Sequence, residues 1–296
     1  MRKMHRKVQL YDIIIALALA LIAFTCVIPI LNAIAISFSD KTSAAVGRVV
    51  FWPINFNVSS YIQILQEGRF FTAFGVSIKR VILGGLVNVA LVILTAYPLS
   101  KDPKVFRQRN IYMWIIVFTM LFNGGLIPTF ILVKSLNLLD SIWSLILPGA
   151  VPVFSVIILM NFFKGIPKSL EEAAIVDGAN PLTVLIRVFM PLALPSIATI
   201  ALFSIVGHWN AFFDGKIFIN TLLKQPLSTY IQSLTVELNF QTMQSLKPEE
   251  IIRRLEMSNL TFNSAKVVVS MVPILIIYPM LQKYFVTGIV MGAVKE

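Results

Sequence analysis

The chain has 296 residues, of which 57% are hydrophobic and 13% are charged, and its formal net charge is +11. A soluble domain is about 45–50% apolar and about 25% charged, so this composition excludes an ordinary soluble protein and indicates membrane spans. The positive charge fits an excess of Lys and Arg in cytoplasmic loops. Nucleic acid is not an expected partner, because the sequence has no basic stripe with interleaved aromatic residues.

Six apolar runs predict six transmembrane helices, because about 20 apolar residues cross the hydrocarbon core. The first run, residues 13–36, is much longer than the roughly 7–15-residue apolar region of a signal peptide, so we interpret it as a retained helix. The other runs cover residues 81–99, 111–133, 142–163, 192–213 and 267–290. The sequence predicts an all-α membrane protein with one transmembrane domain over residues 1–296 and its core at 72–290.

Basic residues concentrate in the short loops after the second and fourth predicted helices, which places these loops in the cytoplasm. The two sets are Lys101, Lys104, Arg107 and Arg109, and Lys164, Lys168 and Arg187. The N- and C-termini are then also cytoplasmic, and residues 37–71 and 214–266 lie outside. The expected location is the bacterial cytoplasmic membrane, with lipid as the surrounding partner.

Catalytic and energy-coupling motifs are missing from the sequence. There is no phosphate-binding G-x-x-x-x-G-K-[ST] loop and no zinc-ligand pattern, so we expect no cofactor, no metal and no enzymatic activity in this chain. The predicted spans hold essentially no ionisable residue. Arg80 lies just outside the second span. His208 lies at the outer end of the fifth span, where we expect it to make a hydrogen bond at the membrane interface. Energy for any driven process must therefore come from a partner.

The loop "GIPKSLEEAAIVDGANPLTVLIRVFMP", residues 165–191, predicts two short helices joined by a glycine turn. Ser169 and Glu172 fit a capping box at the first helix start. Gly178 stands where a helix end favours a left-handed residue. Asn180 and Pro181 fit an N-cap and a first helical position. This cytoplasmic element, within 164–191, could dock a protein or lie as an amphipathic hairpin on lipid headgroups.

The same loop resembles the EAA loop of ATP-binding-cassette importer permeases, E-A-A-x3-G-x9-I-x-L-P. The matching residues are Glu172, Ala173, Ala174, Gly178 and the stretch Val188-Phe189-Met190-Pro191, with conservative departures at Val188 and Met190. The stretches "FNGGLIPTFILVKSLNLLDSIW", "WNAFFD" and "GIVMGAVKE" extend the resemblance over about the full length. The chain is similar to carbohydrate-importer permeases of the maltose MalG type, especially the polysaccharide or aldouronate branch.

This resemblance implies a coupling helix that docks on an ATPase subunit. The implied contact residues are Glu171, Glu172, Ala173, Ala174, Gly178 and Pro191, with Glu172 pairing a basic residue of the ATPase. A tail with Gly292, Ala293 and Lys295 would reach toward the ATPase dimer. The implied partners are a second homologous permease, two ATPase subunits that bind ATP and Mg²⁺, and an extracellular solute-binding protein that meets the outer segments.

The sequence says less about the transported molecule than about the ATPase subunits that would supply the energy. A sugar is implied by the resemblance, and Trp209, Asn210 and Phe212 could line its path, although packing or an interfacial aromatic belt is an alternative role for the aromatic pair. Two other functions stay open at this point. One is a permease for a solute other than a sugar, and the other is a membrane scaffold or enzyme subunit that docks a cytosolic protein through the hairpin.

Overall fold

A computed structural model describes residues 10–66, 68–234 and 260–293, and these ranges contain helices and no strand. The α-helices are α1 (Leu10–Ser37), α2 (Lys41–Ala45), α3 (Ser59–Gln66), α4 (Gly68–Ser100), α5 (Arg109–Leu121), α6 (Leu126–Ser135), α7 (Val153–Lys164), α8 (Lys168–Val176), α9 (Pro181–Val184), α10 (Met190–Leu192), α11 (Leu194–Asn210), α12 (Phe213–Phe218), α13 (Leu227–Leu234) and α14 (Leu260–Ala293). Short 3₁₀-helices cover Ile142–Leu145, Leu147–Gly149 and Leu222–Lys224, and Leu185–Phe189 is π-helical.

The first of two compact units lies within Met1–Gly68 and Ser233–Val272 and contains α1, α2, α3 and the start of α14. The Asp40 carboxylate caps α2 by accepting a hydrogen bond from the Ser43 backbone N–H at 3.1 Å. The Phe38 ring stacks on the Tyr61 ring with centroids 4.6 Å apart. These local contacts fix the chain that follows α1, which the sequence assigned to the outer side.

The second unit lies within Arg69–Gln232 and Pro273–Glu296 and holds a core of interlocking apolar and aromatic side chains. Tyr97, Phe163 and Phe189 meet edge to face, with ring centroids 5.1–6.3 Å apart. Such aromatic pairs contribute about 0.5–1.5 kcal/mol each beyond the area that they bury. They join α4 and α7 to the π-helical turn, so the loop after α7 is attached to the core.

Three helices, α1, α4 and the part of α14 at Leu260–Pro279, are each long and apolar enough to cross a membrane. Three bent helix pairs pass the same criterion, which gives up to six candidate spans in the described ranges. α4 begins at Gly68, well before the predicted start at residue 81, so Arg80 lies within it. Lys266 likewise lies within α14. Both are about 98% buried or more and lie within helices that are candidate spans, although the sequence placed them outside the apolar runs.

The third, fourth and fifth apolar runs are not single straight helices, contrary to the sequence expectation. Between α5 and α6 the chain turns by 114°, where Gly125 has a φ of +88° that residues other than glycine rarely adopt. The fourth run bends by 51° before α7. The fifth bends by 84° before α11, since Pro191 and Pro195 lack the N–H that would continue the helical hydrogen bonds.

Candidate functional site

The hairpin predicted at residues 165–191 forms as α8, a glycine turn and α9. The Ala179 N–H donates to the Ala174 carbonyl and the Gly178 N–H to the Ile175 carbonyl, both at 2.9 Å, and Gly178 has a φ of +80°. This is the Schellman arrangement that satisfies the last carbonyls of a helix. The Asn180 side chain then caps α9 by accepting the Thr183 N–H at 2.8 Å, as predicted.

The predicted capping box at the start of α8 does not form. The helix begins at Lys168, and its N-cap is Pro167, which makes no side-chain hydrogen bond. Ser169 is therefore already within the first turn, two residues after the N-cap position. The Glu172 side chain is left exposed to solvent instead of folding back on the backbone.

One side of the hairpin packs on the core and the other is exposed. Ala174 packs against the core cluster, whereas Val184 and Phe189 are buried members of it. On the outer side, Val176 is 87% exposed and Ile175 is 55% exposed. Exposed apolar side chains grouped on a loop mark a surface that contacts a protein or a membrane. The packed inner side attaches the hairpin to the core and leaves the other side to contact a protein or lipid headgroups.

Lys101 fixes the first helix of the hairpin to the end of α4. Its ammonium group donates a hydrogen bond to the Glu171 carboxylate at 2.6 Å. The same group lies 4.0 Å from the centre of the Tyr97 ring and 4.2 Å from that of Phe189, which are cation–π distances. Burial lowers the pKa of Lys101, and the contact with Glu171 acts in the opposite direction. This contact holds α8 against the core at one defined point.

The two adjacent acids of the loop thus have different surroundings. Glu171 is paired inside the chain, whereas Glu172 is exposed and makes no ion pair with any residue in the described ranges. A second, looser pair joins Lys168 to Asp102 at 3.8 Å, with both side chains largely exposed. The pKa of Asp102 is lowered, mainly by the hydrogen bond from the Lys104 backbone N–H. Of the two glutamates, only Glu172 is available to a partner.

A third ion pair, between Arg80 and Asp214, lies in the interior of the second unit. The guanidinium group of Arg80 also donates hydrogen bonds to the carbonyls of Ala211, at 3.0 Å, and Leu145, at 3.3 Å. Arg80 therefore joins α4 to the turn before α12 and to the 3₁₀-helix at Ile142–Leu145. Sequence reasoning missed this pair. Two features of the sequence could have indicated the pair: Arg80 stands next to one long apolar stretch, and Asp214 directly follows another.

The residues predicted for a substrate path differ in their accessibility. Trp209 is 92% buried and meets Phe74 edge to face at 5.7 Å, whereas Asn210 is exposed and Phe212 is 39% exposed. His208 is also buried, with its imidazole ring packed against Gly84. α11 turns His208 inward against α4, and its predicted position at the membrane interface stays a prediction.

The remaining predicted site residues lie at the ends of the hairpin and of the chain. Pro191 is exposed within α10, two residues before the N-cap of α11. Gly292 and Ala293 are the last residues of α14, and Lys295 lies outside the described residues. In the described ranges no three His, Cys, Asp or Glu side chains are grouped as metal ligands would be.

Comparison with known proteins yields a family model and full-length relatives. The family described as "binding-protein-dependent transport system inner membrane component" matches residues 102–290. The chain is 36% identical to the polygalacturonan/rhamnogalacturonan transport system permease protein YtcP of Bacillus subtilis (strain 168), over 98% of this chain and 99% of that protein. It is 37% identical to protein LplC of the same strain, over 97% and 95%.

A solved structure shares the fold. A chain in the crystal structure of a bacterial ABC transporter involved in the import of the acidic polysaccharide alginate matches with a TM-score of 0.83 and 32% identity, over 96% of this chain and 100% of that chain. The similarity extends over both compact units and includes the hairpin.

Proposed function

The chain belongs to the family of binding-protein-dependent transport system inner membrane components, and we propose that it is driven by ATPase subunits that dock on the hairpin of α8 and α9. It is a permease subunit of a sugar importer of the bacterial plasma membrane, and not a catalytic protein. ATP hydrolysis would take place in the docked subunits. The observation that carries the proposal is a stiff hairpin that is fixed on one side and apolar and exposed on the other.

The hairpin can transmit a movement as a rigid element, because specific contacts fix its turn and both of its ends. The Schellman turn at Gly178 and the Asn180 cap fix the angle between the two helices. The contact between Lys101 and Glu171 fixes α8 to α4, and Phe189 fixes the far end to the core. A docked ATPase that moves α8 would therefore move α4 and α11 with it. ATP would shift the transporter between conformations by binding one of them more tightly.

The proposed topology has six spans with both termini in the cytoplasm. It is supported by the three continuous candidate spans together with the three bent pairs, and by the basic loops on the hairpin side. The proposed partners are a second homologous permease, two ATPase subunits and an extracellular solute-binding protein. Residues 37–71 and 214–266 are the proposed contacts with the binding protein.

Coupling is tested in the reconstituted importer by Glu172→Gln, with Lys134→Gln as a control that removes an exposed charge far from the hairpin in sequence. We expect Glu172→Gln to lower uptake and sugar-stimulated ATPase activity about tenfold, the effect of losing one charge-assisted hydrogen bond. Lys134→Gln should retain both activities. Equal uptake by the two variants at equal membrane expression would contradict the coupling role of Glu172.

The proposed cargo is an oligosaccharide released from an acidic polysaccharide. Support comes from the names of the similar proteins, which specify polygalacturonan, rhamnogalacturonan and alginate. The test is binding of neutral and uronate oligosaccharides to the binding protein that copurifies with this permease. Tighter binding of the uronate series is expected, and selective binding of a non-sugar solute would refute the sugar assignment without affecting the coupling role.

A further inference from the structure

The second unit contains a partly open cavity of about 300 Å³ beside the Arg80–Asp214 pair. Its walls come from α4, α7, α11 and α12 and from the chain that leads into α7. The polar wall residues away from the ion pair are Asn88, Ser144, Ser155, Ser204 and His208. None of the predicted path residues or hairpin residues lines this cavity, so it is separate from the site described above.

Four buried polar atoms of the residues that line this cavity have no hydrogen-bond partner in the described ranges. One is His208 Nε2, and the three in the most deeply buried residues are Asn88 Oδ1, Ser204 Oγ and Arg80 Nε, in side chains of residues that are 6%, 7% and 2% exposed. Leaving such an atom unpaired costs about 1–3 kcal/mol, and buried polar groups nearly always have a partner. Three of them at one cavity indicate a bound group that supplies the missing hydrogen bonds.

The three atoms together define the chemistry of that group. Asn88 Oδ1 can only accept a hydrogen bond, Arg80 Nε can only donate one, and Ser204 Oγ can do both. A hydroxyl group both donates and accepts, so a molecule with several hydroxyls satisfies all three atoms. We propose that this cavity binds a neutral polyhydroxyl ligand of the size of one uncharged sugar ring.

Charge and shape favour a neutral ring over an anion. The positive charge of Arg80 is already balanced by Asp214, so a carboxylate entering the cavity would find no free cation there. A buried unpaired charge is far more costly than a buried hydroxyl. The remaining wall includes Phe203, Pro148 and Phe218, which offer apolar contact to the C–H faces of a ring. A volume of about 300 Å³ is at the lower end of the range for small-molecule pockets.

The inference does not depend on the cargo or on ATPase docking, and its test uses neither uptake nor ATP. The full chain is purified in lipid nanodiscs with the subunits that copurify with it, without the binding protein. Galactose is the probe, and galacturonate is the charged counterpart with the same ring. Binding is measured by calorimetry and by the shift of the unfolding temperature. Saturable stabilisation by galactose is expected, with at least tenfold weaker binding of galacturonate.

Two variants and a matched control locate the binding to this cavity. Ser204→Ala and Asn88→Leu should each raise the galactose dissociation constant about tenfold, the loss of one hydrogen bond. Ser196→Ala is the control, because Ser196 is also on α11, buried and unpartnered in the described ranges, but does not line the cavity. It should leave binding unchanged. If Asn88→Leu does not fold, Ser204→Ala and its control still decide the question.

Three outcomes would overturn the proposal. Absence of saturable galactose binding would mean that the cavity holds only water. Equal binding of galactose and galacturonate would refute the preference for a neutral ligand. Equal loss of binding in Ser196→Ala and Ser204→Ala would place the ligand elsewhere. None of these results bears on whether the hairpin docks an ATPase.

Discussion

Two ion pairs, one just after the C-terminal end of α4 and one at its middle, differ in burial and in purpose. At one end Lys101 pairs with Glu171 beside the exposed hairpin, and further along the helix Arg80 pairs with Asp214 in the interior. At 1.5 Å per residue, Ser100 lies about 30 Å from Arg80, which is the thickness of the hydrocarbon core. The same helix thus connects the proposed docking surface to the cavity beside Arg80.

The difference between the pairs shows how a membrane protein places charge. A charge within the bilayer is costly and has to be paired and hydrogen-bonded, as Arg80 is by Asp214 and two backbone carbonyls. A pair at the edge of the membrane contributes less to stability but can hold a moving element in position. The buried pair therefore fixes the fold, and the outer pair orients the hairpin.

The largest expected effect comes from breaking the buried pair. Asp214→Ala leaves the Arg80 charge buried without its counter-ion, and we expect a loss of about 3–5 kcal/mol in the free energy of unfolding. Chemical denaturation of the purified chain in detergent micelles measures this loss. The double variant Arg80→Met with Asp214→Leu should recover most of the stability. A double variant as unstable as Asp214→Ala would show that the charges themselves are needed.

A smaller effect is expected where α4 meets α11 beside the buried pair. A Cβ atom at Gly84 would overlap the His208 imidazole ring, whereas one at the neighbouring Gly85 meets no atom within 4 Å. We expect Gly84→Ala to destabilise the chain by about 1–3 kcal/mol through overpacking. Gly85→Ala should be neutral or slightly stabilising, since alanine favours helices. Equal melting temperatures for the two variants would contradict the close contact of α4 and α11.

At the hairpin, the turn glycine is expected to have a milder effect on stability and a stronger one on coupling. Gly178→Ala places a Cβ atom in a left-handed conformation, at a cost of about 1 kcal/mol. Gly75→Ala, in the regular part of α4 with open space around it, is the matched control. Sugar-stimulated ATPase activity should fall in Gly178→Ala and persist in Gly75→Ala. A fall in both would point to a general loss of folding.

The smallest effect on stability is expected for the outer ion pair. Glu171→Gln should change the free energy of unfolding by up to about 1 kcal/mol, because both groups are partly exposed and water screens them. Uptake should nevertheless decrease, since α8 loses one of its fixed points on α4. Uptake assays and denaturation curves on the same preparation separate these effects. Unchanged uptake would mean that the core contacts of Phe189 suffice to hold the hairpin.

Local sequence rules predicted the hairpin well because its structure is determined by neighbouring residues. Gly178 and Asn180 act on backbone groups within a few positions, and both took their predicted roles. The capping box failed because the N-cap is Pro167 and not Ser169, a shift of two residues that is too small for a pattern to resolve. The role of Glu172 in contacting a partner protein rests on the resemblance of the loop to the EAA loop, and not on its local structure.

Features that depend on distant residues could not be predicted in the same way. Arg80 and Asp214 are 134 positions apart, and no local pattern relates them. Hydropathy also does not show where a helix bends. The 114° turn before α6 could therefore not be predicted from it, although Gly124 and Gly125 lie at the turn. The charge of Arg80 set the start of the second apolar run at residue 81. The helix itself begins at Gly68, so hydropathy alone did not show the full length of α4.

Cross-linking tests the central claim, docking of the ATPase on the hairpin, most directly. Cys26 is the only cysteine, so Glu172→Cys in a Cys26→Ser chain provides a single thiol on the exposed side of α8. Leu136→Cys is the control, because Leu136 is 59% exposed in the connection predicted on the opposite side of the membrane. In the assembled importer, a short bifunctional reagent should join the Glu172→Cys chain to the ATPase subunit and leave the Leu136→Cys chain unlinked. A link to the ATPase from Leu136→Cys and none from Glu172→Cys would contradict the account.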